Sequence, residues 1–198
     1  MKLRALLVGL GIAAVSGVVG YSQRCADELH ATFLNLDFAE GNPGERPPGW
    51  EPPPCVYLPP RGAYVTEIVS GAACNSGKRC AVVKAIREDP TDQRWFLFQR
   101  VDATPYRGKE LTFRAAVRAD VVLGSSARLL VRVHGKDIST LFFDNMGRFP
   151  VRSSAWAFYE IHAPIAQGAE DIEFGMQLIG LGAAWSDNIS MNFADAGN

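Results

Sequence analysis

Asp144, Asn145 and Arg148 follow directly on the apolar pair Phe142-Phe143, and Arg152 stands close behind. An acid, an amide and two cations at the end of a hydrophobic stretch can line a pocket mouth and hydrogen-bond the hydroxyls of a polar ligand. The same Asp-Asn before Gly147 also suits a tight turn. Trp50, Trp95, Trp156 and Trp185 add the complementary surface. An indole face stacks on the apolar C–H face of a sugar ring while polar neighbours meet its hydroxyls. The candidate ligand set is therefore Trp50, Trp95, Asp144, Asn145, Arg148 and Arg152, with Trp185 assigned to the core.

Catalytic signatures are missing. The chain holds no G-x-S-x-G, no H-E-x-x-H and no S-x-x-K with its partners. His30, His134 and His162 are scattered. Glu110, Asp144 and Asp187 are free carboxylates, but glycosidic acid pairs are set by space, and no local spacing marks one. The expectation is a non-enzyme, with a small hydrolase using an unrecognised carboxylate pair as the weakest alternative.

Charge excludes another class. Lys+Arg is 20 against Asp+Glu 21, a net of -1. Neither sign dominates, so the chain lacks the cationic surplus that phosphate-backbone binding needs, and no nucleic-acid partner is expected. At 198 residues with 47% hydrophobic content, one domain with its own core is the expectation.

Lys2 and Arg4 precede Ala5 to Gly20, an uncharged run with Ser16 its one polar residue. This predicts an export signal over 1–20 with cleavage before Tyr21, and a periplasmic or secreted protein. The alternative is an uncleaved membrane anchor; otherwise no stable membrane insertion is expected. In an oxidising compartment Cys25, Cys55, Cys74 and Cys80 read as disulfides. Cys74 with Cys80 closes a small loop and leaves Cys25 with Cys55, although four cysteines permit three pairings.

An N-terminal extension over 21–31 precedes one domain over 32–193, and 194–198 is a tail. Within the domain, 41–60 holds eight of the twelve prolines and is predicted as an extended surface loop. Elsewhere apolar and polar residues alternate. Leu111, Phe113, Ala115 and Val117 share one face, as do Leu129, Val131 and Val133, and Ile172, Phe174, Met176 and Leu178. Further strands are predicted over 32–38, 63–69, 80–86, 95–101, 140–143, 157–162 and 183–191. The fold class is all-β, an antiparallel β-sandwich.

The order Asn35-Leu36-Asp37-Phe38, Pro48-Gly49-Trp50, Tyr106-Arg107-Gly108-Lys109, Phe143-Asp144-Asn145-Met146, Trp156-x-x-Tyr159 and Trp185-x-Asp187-Asn188 resembles a known group. It is similar to the jelly-roll domains of the carbohydrate-binding-module and galactose-binding-like type. Such domains are attached to bacterial extracytoplasmic hydrolases and peptidases, and to some regulators. The resemblance implies a non-catalytic role and a structural calcium held near the first strand and by an acid in the last. In this sequence those positions are Glu40, one place beyond the usual acid, and Asp187. The expected function is an exported binding or accessory module for carbohydrate or a related polar polymer. A module that binds an envelope protein or serves the envelope structurally is the alternative.

Overall fold

The computed structural model describes residues 29–51, 63–86 and 94–197. The predicted signal, Cys25, Cys55 and most of the proline-rich loop lie outside these residues. Ten strands follow in order: β1 (Leu29–His30), β2 (Tyr64–Ser70), β3 (Arg79–Ala85), β4 (Arg94–Asp102) and β5 (Lys109–Val121), then β6 (Ser126–Gly135), β7 (Thr140–Asp144), β8 (Ala157–Pro164), β9 (Ala169–Ile179) and β10 (Gly182–Asp195). They form two five-stranded sheets, β1-β4-β9-β6-β7 and β2-β3-β10-β5-β8. Every pairing is antiparallel except β1 with β4. The chain crosses repeatedly between the sheets, so each sheet is built from strands distant in sequence. That is the β-sandwich that the alternation predicts, in the jelly-roll arrangement that the resemblance implies.

The period of two decides which side chains meet. Leu97 and Val101, Leu129 to Val133 and Ile172 to Leu178 contribute alternate residues to the space between the sheets, where they meet Leu111, Phe113 and Val117. Full burial of each large apolar chain is worth about 1.5–3 kcal/mol. At the centre Phe174 takes edge contacts from Phe33, Trp50 and Phe113, with ring centroids 5.4 to 5.7 Å apart. Gly175 beside it has no substitute, because a Cβ there would lie 2.1 Å from the Leu97 carbonyl oxygen.

The boundaries need two corrections. The predicted strand over 32–38 is a loop. Asn35 adopts φ 46° and Phe38 φ 55°, which a strand cannot accommodate. The Asn35 carboxamide accepts from Glu40 N at 3.0 Å and donates to the carbonyls of Glu40 and Pro48, so its side chain replaces a ladder partner. At the other end β10 runs to Asp195, taking in part of the predicted tail. Among the described residues the helical turns are three-residue 3-10 pieces.

Candidate functional site

Strand register places the outward side chains of the first sheet in rows. Phe96, Gln177 and Arg128 form one row, and Phe98, Gly175 and Leu130 the next. Arg100, Glu173, Arg132 and Phe143 make a third, and Asp102, Asp171 and His134 a fourth. These are the residues opposite the apolar set of each strand. On an open sheet they would be solvated, yet Asp171, Glu173, Gln177 and His134 are buried. A recess of about 60 Å³ lies among them, lined by Arg94, Phe96, Arg132, Phe143, Asn145, Glu173 and Gln177.

The buried polar groups divide into a bonded set and an unbonded one. Asp171 accepts from Arg100 Nη2 through one carboxylate oxygen, and its other oxygen lies 2.7 Å from His134 Nδ1. Burial pushes the Asp171 carboxyl up, but the hydrogen bonds from Arg100 and His134 outweigh it and hold the group below its ordinary range. Both oxygens are thereby engaged, so Asp171 fixes its neighbours in place. Glu173 is different. Burial holds its carboxyl above the ordinary range, and Arg132, 3.8 Å away, offsets only part of this. Gln177 is 2% exposed, and its carboxamide makes no hydrogen bond to a described residue. Arg132 lies under the Phe143 ring, 4.7 Å from its centroid, and Phe143 is 47% exposed. Chemically, the recess offers two aromatic rings, two amides, an acid with unused hydrogen-bonding capacity, and two cations.

The predicted ligand residues scatter. Asn145 reaches the recess, and with Asp144 and Arg148 it also lines a neighbouring hollow of about 560 Å³ bounded by Phe149 and Tyr159. Asp144 Oδ1 accepts from Met146 N at 2.7 Å, the turn chemistry its neighbours suit. Arg152 stands one residue beyond Val151, whose backbone bridges to Ala127 at the start of β6. Trp50 is a correction. It is 1% exposed between the sheets, tilted against Phe38, and donates its Nε1–H to Asn35 O at 3.0 Å, so no ligand can stack on it. Trp95 is half-buried, stacked on Tyr64 and bonded to Thr66 Oγ1 at 2.9 Å. Trp185, assigned to the core, instead lies on the outer face of the second sheet with Arg118 3.9 Å from its ring centroid.

Phe96, Phe143, Arg132, Glu173 and Gln177 were not singled out from the sequence. The alternation in β9 marks Glu173 and Gln177 as outward, but only the order of strands shows that they are central.

A hollow of about 960 Å³ lies on the second sheet, among Asp37, Lys78, Arg79, Arg114, Phe158 and Asp187. It is larger than the recess, but Asp187, Arg79 and Arg114 are each engaged. Asp187 is buried and accepts from Ser76 N and Asn188 N, both at 2.7 Å. Arg79 Nη1 donates to Ala39 O at 2.7 Å and Gly41 O at 2.9 Å. Arg114 stacks 3.6 Å from the Phe158 ring centroid and pairs with Glu160. The calcium that the resemblance implies at Glu40 and Asp187 does not fit this donor set. A guanidinium already holds the carbonyls flanking Glu40, and backbone N–H groups hold the Asp187 carboxylate. Cys74 and Cys80, close to Asp187, form a disulfide with Cα atoms 5.5 Å apart and offer no thiolate.

The fold defines a class: a jelly-roll β-sandwich of the type found in carbohydrate-binding modules. Solved structures make the likeness concrete. The CBM22-1 xylan-binding domain of Paenibacillus barcinonensis Xyn10C matches 85% of this chain and 99% of its own, with TM-score 0.55 and 15% identity. The module TmCBM61, solved with β-1,4-galactotriose, matches 83% of this chain and 99% of its own, with TM-score 0.52 and 10% identity. No family model matches the chain. An uncharacterised HTH-type transcriptional regulator of Bacillus subtilis, YbfP, is 27% identical over 122 residues, which are 61% of this chain and 41% of that protein. The chain thus spans about two-fifths of the length of that curated relative.

Proposed function

We propose that this domain is an exported, non-catalytic module that binds a saccharide in the recess on the outer face of the β4-β9-β6-β7 sheet. The observation that carries this reading is Gln177, which lines the recess with Phe96, Phe143 and Glu173 and whose carboxamide makes no hydrogen bond to a described residue. An amide with unused donors and acceptors opening into a recess suits a ligand hydroxyl. The rings supply the apolar surface that a pyranose face needs. What the structurally similar modules bind supports the ligand class. Export is supported by Lys2, Arg4 and the apolar run to Gly20, and by the Cys74–Cys80 disulfide, which an oxidising compartment maintains. Among the described residues no helix is long and apolar enough to cross a membrane.

The test is affinity electrophoresis through gels holding soluble xylan, β-1,4-galactan or polygalacturonate. Wild-type protein should be retarded in at least one gel. Phe143→Ala combined with Gln177→Ala should weaken that binding about tenfold or more, the loss of about 1.4 kcal/mol. Retardation unchanged in the double variant, or absent for the wild type in all three gels, overturns the reading.

A further inference from the structure

One end of the recess carries cations that nothing described neutralises. Arg128 follows Ser126 on the outward face of β6, and Arg94 opens β4 two strands away; the register Arg94–Ile179–Ser126 brings the two to the same end of the sheet. Arg152 joins them from the edge, because Val151 exchanges backbone hydrogen bonds with Ala127 at 2.9 and 2.8 Å. Elsewhere on this face cations have acids: Arg100 has Asp171 and Arg132 has Glu173. Among the described residues Arg94, Arg128 and Arg152 have none within ion-pair distance.

Arg128 is the informative member. Its Nε is buried and makes no hydrogen bond to a described group. Burial, and then the like charges of Arg94 and Arg152, act against its own charge. Holding guanidinium groups together without an anion costs stability, so the arrangement calls for a negative ligand. There is also room for one. Gly147 carries no side chain where a Cβ would come 3.6 Å from Arg128 Nη1 and 3.0 Å from Asn145 Oδ1. Asn145 and Arg94 both line the recess, so this opening adjoins it, although Arg128 and Arg152 do not themselves line it. Phe143 at the rim of the recess is 47% exposed and offers a face for a sugar ring.

We infer that the recess is built for an acidic saccharide, whose ring carboxylate is held by Arg128 and Arg152, with Arg94 alongside. This rests on the saccharide reading above and narrows its ligand class. A guanidinium offers paired N–H donors that match a carboxylate, and such charge-assisted bonds are about twice as strong as neutral ones.

Polygalacturonate, its fully methyl-esterified form and poly-L-glutamate separate the possibilities, measured by isothermal titration on the intact domain. The ester keeps the sugar and removes the charge, whereas polyglutamate keeps the charge and removes the sugar. Polygalacturonate should bind about tenfold or more tighter than either control. Arg128→Gln with Arg152→Gln should remove that preference while leaving the melting temperature unchanged or raised, since a like-charge contact is relieved. Equal affinity for polymer and ester, with the preference unaffected in the double variant, overturns the acidic assignment and leaves the saccharide reading standing. Equal affinity for polyglutamate overturns it as well, as binding of charge alone. If neutral xylan and galactan also fail to bind, both readings fall together.

Discussion

The two sheets of the sandwich share one core, and their outer faces are opposites. On the second sheet several cations lie against rings or acids, although Arg118 Nε, like Arg128 Nε on the first, is buried without a hydrogen bond to a described group. Arg118 lies between Trp185 and Trp156, 3.9 and 5.6 Å from their ring centroids, Arg114 is shared between Phe158 and Glu160, and Lys84 pairs with Glu67. Its pairs stand at the surface. On the first sheet the acids are sunk, and among the described residues one amide is unbonded and three arginines at one end lack acids. A face whose groups are spent on each other is a solvated wall, whereas one with buried, unspent groups is a place for a ligand. Aromatic content alone would have chosen the second sheet, because the half-buried Trp156 and Trp185 belong to it.

The largest expected effect comes from removing charge on each face in turn. Asp171→Asn leaves Arg100 and His134 facing a neutral amide in a buried setting. Denaturant melts should show a loss of about 3 kcal/mol. Glu160→Gln on the second sheet removes an acid that is 44% exposed by side chain and should cost less than about 1 kcal/mol. Equal costs would erase the contrast between the faces.

The disulfide comes next. Cys74→Ser with Cys80→Ser opens a loop of six residues' separation, worth about 2 kcal/mol in a chain-entropy account. Because that loop sits on the second sheet, saccharide binding should be unchanged. A loss of binding along with stability would couple the faces.

Arg79 gives a smaller change. Arg79→Gln withdraws the donor from Ala39 O and Gly41 O and should cost about 1–2 kcal/mol. EDTA should leave the wild-type melting temperature unchanged; a fall that added calcium restores would show that a metal, and not Arg79, holds this loop.

The smallest effect is in pH dependence, and the two acids of β9 have opposite signs. Asp171's folded pKa is depressed, so its contribution is present above the unfolded value of 3.8 and is lost as pH falls through the folded one. Glu173's is raised, so its contribution is present below 4.5 and is lost as pH rises through the folded value. Glu173→Gln should therefore gain melting temperature relative to wild type between pH 4 and pH 8. A difference that does not vary with pH would mean that Glu173 is not desolvated.

Most of the strand positions are legible in the sequence because alternation is a local signal. Ile172, Phe174, Met176 and Leu178 name the inner face of β9 with no knowledge of its neighbours. The loop at 32–38 is not legible, since Leu and Phe at alternate places look like a strand, and only the left-handed Asn35 and Phe38 break it. The Cys74–Cys80 closure follows from the short spacing of the two cysteines. The recess was not legible for a physical reason. Phe96, Leu130, Glu173 and Gln177 come from three strands scattered over some eighty residues, and register alone brings them together. Trp50 misleads in the other direction: a tryptophan after Pro-Gly in a polar loop reads as exposed, but the Asn35 turn folds it under the sheets.

Hydrogen exchange with and without the tightest binder among xylan, β-1,4-galactan and polygalacturonate tests the central claim most directly. Added protection should concentrate in β4, β6, β7 and β9 around Phe96, Leu130, Phe143 and Gln177, with the strands carrying Arg118 and Trp185 unchanged. Protection confined to β5, β8 and β10, or no change at a saturating concentration, would contradict the assignment of the site to the first sheet.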